Sequence, residues 1–167
     1  MTSSRQWLLR LSLLAVLLTL AGALSFLRYA RTHRSNPRLV AVAPFDVFVA
    51  GLEPWRVRLA QSVTAQLNAP PLASVPQAVV RERWRGQSQP TIAAIDLARR
   101  TSAGVAVYGR LDPIASRSDS VRVQMIAVDA GSGRVLISID RRWPVGGLDT
   151  LGRALAEQVR RDYRYPE

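Results

Sequence analysis

The segment Gly131-Ser132-Gly133 is the only cluster of the G-x-G kind in the chain. Such a loop binds phosphate when it links a strand to a helix, because the N–H groups at the start of the helix then face the anion. Here the following segment, RVLISID (134–140), alternates and is rich in β-branched residues, which indicates a strand, and no P-loop lysine is present. The flanks therefore predict a β-hairpin whose turn conformations are supplied by Asp129, Gly131 and Gly133.

Other residues that could carry chemistry are few. The single histidine, His33, has arginines around it that would repel a cation, and one histidine cannot form a metal cluster. There is no cysteine, which excludes disulfides and thiol catalysis. The serines lack a histidine partner for activation, and the aspartates stand singly, mostly at predicted element ends where capping explains them. We therefore expect no catalytic residue, no metal site and no cofactor.

One short cluster could bind a partner. It is RERWR, with Arg81, Arg83, Trp84 and Arg85 as candidate partner-binding residues. Arginines beside a tryptophan can bind nucleic acid, lipid headgroups or an acidic protein face. Alternatively, Trp84 packs inward beside Val80, four residues earlier on the same helix face, and the arginines are solvated.

The net charge of +11 is spread along the chain. Residues 1–38 contain six arginines and no acid, which leaves +5 for residues 39–167, and there is no lysine. Arginine binds anions in a bidentate manner better than lysine does. However, selection for anion binding predicts clustering, and only residues 81–85 cluster. Codon bias is the favoured explanation, and nucleic-acid binding is not expected.

The N-terminal residues predict a membrane tether. After a basic tail (1–10), residues 11–27 contain no charge and as a helix would span roughly 25 Å, close to the thickness of a hydrocarbon core. The alternatives are a cleaved signal peptide with an A-x-A site at 21–23 and a buried helix of a soluble protein. Because the apolar run continues beyond that site to Leu27, we expect an uncleaved single-pass anchor in a bacterial inner membrane, followed by a linker (28–37).

The orientation of the anchor is weakly specified. Two arginines precede the apolar run and four follow it before residue 39, so the positive-inside rule leans towards a cytoplasmic C-terminal domain. Signal anchors with short N-terminal tails instead commonly export the segment that follows. We predict a periplasmic C-terminal domain and keep the cytoplasmic orientation as the alternative.

Residues 38–167 predict one α/β (α+β) domain. A fully apolar run, Leu39–Ala43, indicates a strand buried on both faces. The remaining patterns give the order β-α-β-α-α-β-β-β-α, with helical crossovers between early strands and an antiparallel meander later. We expect a single mixed β-sheet of about five strands with packed helices.

The helices and late strands are assigned from their apolar periodicity. The predicted buried stripes are Trp55, Leu59, Val63 and Leu67 in the first helix, Ile92, Ile95 and Ala98 in the third, Val121, Val123, Met125 and Ala127 in one strand, Val135, Ile137 and Ile139 in the next, and Leu148, Leu151, Leu155 and Val159 in the last helix. Ser74 and Gln77 have capping-box spacing at the second helix, which Gly86 would end. Gly104 would end the third helix.

These segments resemble a known family. The stretch LVAVAPF (39–45) is similar to the opening strand motif of TolB amino-terminal-like domains, a group that also resembles CsgG-type and FlgO-type envelope proteins. The stretch IDLARRTSAGVAVYGRLDP (95–113) resembles their helix-to-strand pattern, and VRVQMIAVDAGSGRVLISID (121–140) resembles their hairpin. The resemblance covers about residues 38–162. The segment DVFVAGLEPW (46–55) departs from the acidic stretch of the family.

The resemblance implies a non-enzymatic module used for protein–protein interaction or assembly at the bacterial cell envelope. Its partner would be an unidentified envelope protein, and a homo-oligomer is possible. The alternative function is a cytoplasm-facing anchored domain that binds an anionic partner, nucleic acid or lipid headgroups, through its arginines.

Overall fold

The computed structural model describes residues 35–86, 89–115 and 117–163. The chain divides into two units, residues 1–34 and 35–167. The predicted tail, the anchor at 11–27, most of the linker and His33 lie outside the described residues. Among the residues that are described, no helix is both long and apolar enough to cross a membrane.

The described residues form a mixed α and β fold with the predicted element order and one added strand. The strands are β1 (Asn36–Val42), β2 (Asp46–Val47), β3 (Ala73–Ser74), β4 (Ala103–Ile114), β5 (Arg117–Asp129) and β6 (Val135–Pro144). The helices are α1 (Trp55–Leu67), α2 (Gln77–Arg83), α3 (Pro90–Arg100) and α4 (Leu148–Asp162), which follows a 3-10 turn at Val145–Gly147. The added strand is β2, which is only two residues long.

All strands belong to one sheet of order β3-β1-β4-β5-β6, and β2 pairs beside β4. β1 is parallel to β3 and β4, whereas β4, β5 and β6 are antiparallel neighbours. The prediction of a single mixed sheet is therefore confirmed, with six strands instead of about five.

Two apolar cores lie on the two faces of the sheet. One contains Leu59 of α1, Leu155 of α4 and Met125 of β5, all fully buried. The other contains the small residues Ala41 and Ala106 beneath α2 and α3. The buried residues Val40 to Ala43 contribute to both, which confirms that the first strand is buried on both faces. Each fully buried leucine stabilises the fold by about 1.5–3 kcal/mol.

Most predicted stripes are buried. The whole stripe of α4 and all four predicted residues of β5 have relative exposures of 1 % or less. In α1, three of the four stripe residues are buried, and Trp55 is half-buried at the edge of the core. Asp149 lies in the first turn of α4, where the helix dipole favours an anion.

The predicted face of α3 is confirmed for Ala98, which is buried, and is wrong for Ile92. Ile92 is 49 % exposed, and the residues that pack on the sheet are Ala93, Ala94, Leu97 and Ala98. Alanines let the helix approach closely the alanine-rich surface of the sheet on this side, and close packing gains dispersion contacts. Ile95 is half-buried at the margin of the same core.

The predicted ends of α2 are also wrong. The Ser74 hydroxyl donates to the Thr64 carbonyl oxygen at 2.8 Å and does not cap the helix. The Gln77 amide donates to the Val42 carbonyl oxygen at 3.0 Å and to Thr64 Oγ1 at 2.7 Å. Both side chains thus satisfy buried acceptors in α1 and β1, which a local motif does not reveal. The helix ends at Arg83, before Gly86.

Gly104 does not end α3 but lies inside β4. The turn out of the helix is made by Ser102, which has φ +57°. A Cβ atom at Gly104 would lie 2.6 Å from the Asn36 carbonyl oxygen and 2.6 Å from Pro37 Cα. The glycine is therefore required for the close approach of β1 to β4.

Candidate interaction surface

The glycine loop is the turn of a β-hairpin, as predicted. It joins β5 to β6, and Asp129 Oδ1 accepts from the Ser132 N–H at 2.6 Å and from its hydroxyl at 2.7 Å. These hydrogen bonds hold the pKa of Asp129 below its usual value. Of the two glycines in the loop only Gly133 has a positive φ, +73°. Strands on both sides of the loop leave no helix N-terminus there for a phosphate.

One residue of the predicted β6 stripe is misplaced. Ile137 and Ile139 are buried, but Val135 is 57 % exposed. The register shifts between Ala127 and Val128, so that Val135 pairs with Val128. A shift of one residue turns every residue beyond the shift to the other face of the sheet. The alternating sequence pattern does not reveal such a shift.

The RERWR cluster lies at the end of α2. Arg81, Arg83 and Arg85 are exposed, and Trp84 is half-buried against the core beneath α2 and α3. The Arg83 guanidinium donates to the Arg100 carbonyl oxygen at the end of α3. Trp84 has an extended backbone conformation after the last helical residue. The structure thus directs the tryptophan inward and the arginines outward, and partner binding by these four residues stays a prediction.

Among residues 35–86, 89–115 and 117–163, no helix covers one part of the sheet. α3 covers the side of β4 and β5 that bears Ala106 and Val128. Farther along the same side the strands carry polar residues, and we call this region the open sheet face. Its residues are Arg110 and Asp112 of β4, Arg122 and Gln124 of β5, and Asp140 and Arg142 of β6.

Hydrogen bonds connect these side chains across the three strands. The Arg122 guanidinium binds both oxygens of Asp140, with Nε 2.9 Å from Oδ1. The Gln124 amide donates to Asp140 Oδ2 at 2.9 Å and accepts from Arg110 Nε at 2.7 Å. Arg110 Nε also lies 2.9 Å from Asp112 Oδ2. The surface is therefore held in a fixed arrangement.

The electrostatics of the open sheet face do not suit acid–base chemistry. Hydrogen bonds from Arg122, and then from Gln124, lower the pKa of Asp140 to about 2, and the same ion pair raises the pKa of Arg122. A general acid or base near neutral pH needs a pKa close to that pH. Asp140 is instead a permanent anion that accepts hydrogen bonds.

A hollow of about 200 Å³ adjoins the open sheet face at the start of α3. Its walls include Pro90 and Thr91 of α3 and Tyr108 and Ile126 of the sheet. The Tyr108 hydroxyl and Thr91 Oγ1 are 2.6 Å apart, so each satisfies the other. Small-molecule sites usually occupy about 300–1,000 Å³, and this hollow has instead the size of one or two inserted side chains.

Two large apolar side chains are exposed next to the residues that line this hollow. Phe48 is 61 % exposed, and its N–H donates to the Leu111 carbonyl oxygen at 2.9 Å. Ile92, 49 % exposed, follows Thr91 in α3. Exposed apolar groups around a rigid polar patch are typical of protein interaction surfaces. The sequence prediction missed this surface; its only signal was Phe48, an apolar residue outside any predicted element.

No cluster of three or more His, Cys, Asp or Glu side chains suited to a metal ion occurs among the described residues.

No family model matches the sequence, and no curated protein is similar to it in sequence. The fold is similar to that of TolB from Acinetobacter baumannii, with a TM-score of 0.52 and 16% identity over 78% of this chain and 29% of TolB. The chain thus spans less than a third of TolB. Similar structures also include the LpoB C-terminal domain from Salmonella enterica, with a TM-score of 0.49 and 12% identity over 66% of this chain and 84% of that one. Another is lipoprotein GNA1162 from Neisseria meningitidis, with a TM-score of 0.48 and 16% identity over 77% of this chain and 100% of that one.

The TolB match has a TM-score above 0.5 and supports a likeness in fold. The domain has a TolB-like fold, which the three sequence motifs predicted. The predicted similarity to CsgG-type and FlgO-type proteins stays a prediction.

Proposed function

We propose that this chain is a non-enzymatic, membrane-tethered module that binds another protein of the bacterial cell envelope through the open sheet face. The observation that carries the proposal is the uncovered region of β4, β5 and β6, with an apolar hollow and the exposed Phe48 and Ile92 beside it. The TolB-like fold supports a place in the envelope. A homo-oligomer formed through the same face belongs to this proposal.

The physical chemistry of the face favours protein binding over catalysis. Two ion pairs, Arg122 with Asp140 and Arg110 with Asp112, are already formed on it, so a partner that covers these groups need not neutralise them, which would be costly. The hollow can receive an apolar side chain, and such an anchor commonly supplies most of the affinity of an interface. The polar network around it can then specify orientation through hydrogen bonds.

The surface is tested with Ile92→Ser and Phe48→Ser, and with Val57→Ser as the matched control. Val57 is 39 % exposed and lies on α1, on the opposite side of the sheet. After chemical cross-linking in intact cells, we expect the two test variants to lose the same cross-linked species at unchanged melting temperature. The control should retain it. Retention in all three variants would refute the assignment of the surface.

The tether and its orientation need a separate test. We propose a single-pass anchor at residues 11–27 with the domain in the periplasm, supported by the uncharged run in the sequence. Alkaline phosphatase fused after Glu167 should be active, and a fluorescent protein fused there should be dark. The reverse pattern would contradict the periplasmic domain, and release of the chain by alkaline carbonate would contradict the anchor.

The second candidate is a cytoplasm-facing domain that binds an anionic partner. It is favoured by the exposure of Arg81, Arg83 and Arg85 at the end of α2. It predicts binding that weakens steeply with salt and is lost when the three arginines are changed to alanine. Binding that is insensitive to both changes would remove this candidate.

A further inference from the structure

Two helices and the β5–β6 hairpin meet at one end of the domain. The Arg83 guanidinium at the end of α2 donates to the Arg100 carbonyl oxygen at the end of α3. Arg99 Nε donates to the carbonyl oxygen of Ala130, in the hairpin turn, at 3.3 Å. The last turns of α2 and α3 and this hairpin are therefore neighbours.

The chain enters the domain at the same end. The Asn36 N–H donates to the Ser102 carbonyl oxygen, just after α3, at 2.9 Å. The hydroxyl of Tyr163, the residue after α4, donates to the Pro37 carbonyl oxygen at 2.9 Å. We call this region, which holds residue 35, the hairpin turn and the ends of α2, α3 and α4, the chain-entry end.

The positive charge of the domain is concentrated at the chain-entry end. Its described residues include eight arginines and four carboxylates: Arg38, Arg81, Arg83, Arg99, Arg100, Arg134, Arg160 and Arg161, with Glu82, Asp96, Asp129 and Asp162. The opposite end has seven arginines and six carboxylates: Arg56, Arg58, Arg110, Arg117, Arg122, Arg141 and Arg142, with Asp46, Glu53, Asp112, Asp119, Asp140 and Asp149. Arg85, which follows α2, and Arg153 and Glu157, in the middle of α4, are counted with neither end. One end is therefore strongly basic and the other is nearly balanced.

Helix dipoles account for only part of this excess. The C-terminal end of each helix carries roughly −0.5 charge, so the C-terminal ends of α2, α3 and α4 together offset about one and a half arginines. Asp96 pairs with Arg100 at 2.8 Å. Within the described part of the chain, Arg134, Arg160 and Arg161 have no carboxylate at ion-pair distance. Net positive charge thus remains for an external anion.

We infer that the chain-entry end binds the anionic headgroups of the membrane that holds the tether. Seven residues, 28–34, separate the uncharged run from residue 35, and a chain of that length reaches at most about 25 Å. Clusters of four to eight Lys or Arg on the cytoplasmic side of a membrane span are typical of binding to anionic lipids. The attraction arises from the charge of the headgroups, so it acts on a domain beside either leaflet that carries anionic lipid. The guanidinium group also suits phosphate in a bidentate geometry.

This inference rests on the tether in the proposed function, and the experiment distinguishes a failure of the headgroup contact from a failure of the tether. The full chain is incorporated into nanodiscs of phosphatidylcholine alone or with phosphatidylglycerol, and amide hydrogen exchange is measured at residues 99–103 and 130–134. We expect slower exchange in the anionic discs, and we expect the difference to disappear in about 0.5 M NaCl because of screening.

A pair of matched variants localises the effect. Arg134→Gln with Arg161→Gln should reduce the protection in anionic discs on the order of fivefold for each arginine removed. Arg58→Gln with Arg117→Gln removes the same charge from the opposite end and should leave the protection unchanged. Equal loss in both pairs would mean a general charge effect and would overturn the inference.

The remaining outcomes are also decisive. Incorporation into both discs with equal exchange overturns the headgroup contact and leaves the tether standing. Failure to incorporate into either disc overturns the tether and this inference with it. Protection by single-stranded DNA, with none from anionic discs, would assign the chain-entry end to nucleic acid and overturn the inference.

Discussion

The contact between α1 and α4 gives a sharp prediction through Gly152. This glycine is buried in α4, and a Cβ atom there would lie 2.5 Å from Ser62 Cβ and closer still to the Ser62 hydroxyl oxygen. Real Cβ atoms do not approach other atoms so closely, so Gly152→Ala must push α1 and α4 apart. These helices cover the sheet face opposite the proposed interaction surface.

Helix propensity and overpacking change the free energy of unfolding of Gly152→Ala in opposite directions. Alanine stabilises a helix interior by about 1 kcal/mol relative to glycine. Overpacking a closely packed contact costs about 1–3 kcal/mol. The free energy of unfolding should therefore fall by up to about 2 kcal/mol. For a domain of this size each kcal/mol corresponds to roughly 4 °C in melting temperature.

Urea denaturation of the full chain in detergent, followed by circular dichroism, measures this change. Gly146→Ala is the control, because a Cβ atom at Gly146 has nothing within 4 Å, and it should be neutral or slightly stabilising. Adding Ser62→Gly to Gly152→Ala should recover part of the loss, as a positive coupling in a double-mutant cycle. Stabilisation of about 1 kcal/mol by Gly152→Ala alone would refute the close contact.

Three further predictions concern single interactions. The carboxyl of Asp140, with a pKa of about 2, contributes stability above pH 4 that is lost as the pH falls through 2. In Arg122→Gln, NMR titration should show the pKa of Asp140 moving up towards 3.8. An unchanged pKa would contradict the ion pair. Gly133→Ala should destabilise by about 1–2 kcal/mol in urea denaturation because of its positive φ, and a neutral result would contradict the turn. Gln77→Ala should cost about 1–3 kcal/mol in the same assay, since it leaves the buried Thr64 without its partner, and a cost below 0.5 kcal/mol would contradict that bond.

Local periodicity predicted the elements whose burial repeats with a clear period. The stripe of α4, the alternation of β5 and the flanks of the glycine loop are properties of consecutive residues, and the structure confirms all three. The predictions were wrong where contacts with residues distant in the sequence determine the position of a side chain. Ile92 is exposed because the facing sheet surface is alanine-rich, and Ser74 and Gln77 bind acceptors in other elements.

The proposed interaction surface could not be predicted from local patterns for the same reason. Arg122 and Asp140 lie eighteen residues apart, and only the register of β5 on β6 makes them partners. Hydropathy and spacing identify both as polar strand residues, but they do not show that α3 leaves this part of the sheet uncovered. The arginines of RERWR cluster in sequence, whereas the basic chain-entry end gathers residues from several elements.

Site-specific photo-cross-linking in living cells tests the central claim most directly. A photoreactive amino acid is placed at Gln124, in the middle of the open sheet face, or at Gln61, an exposed position on α1 across the sheet. We expect one discrete cross-linked protein from Gln124 in the membrane fraction and none from Gln61. A discrete product from Gln61 alone, or no product from Gln124 at native abundance, would contradict the claim that this face binds a partner.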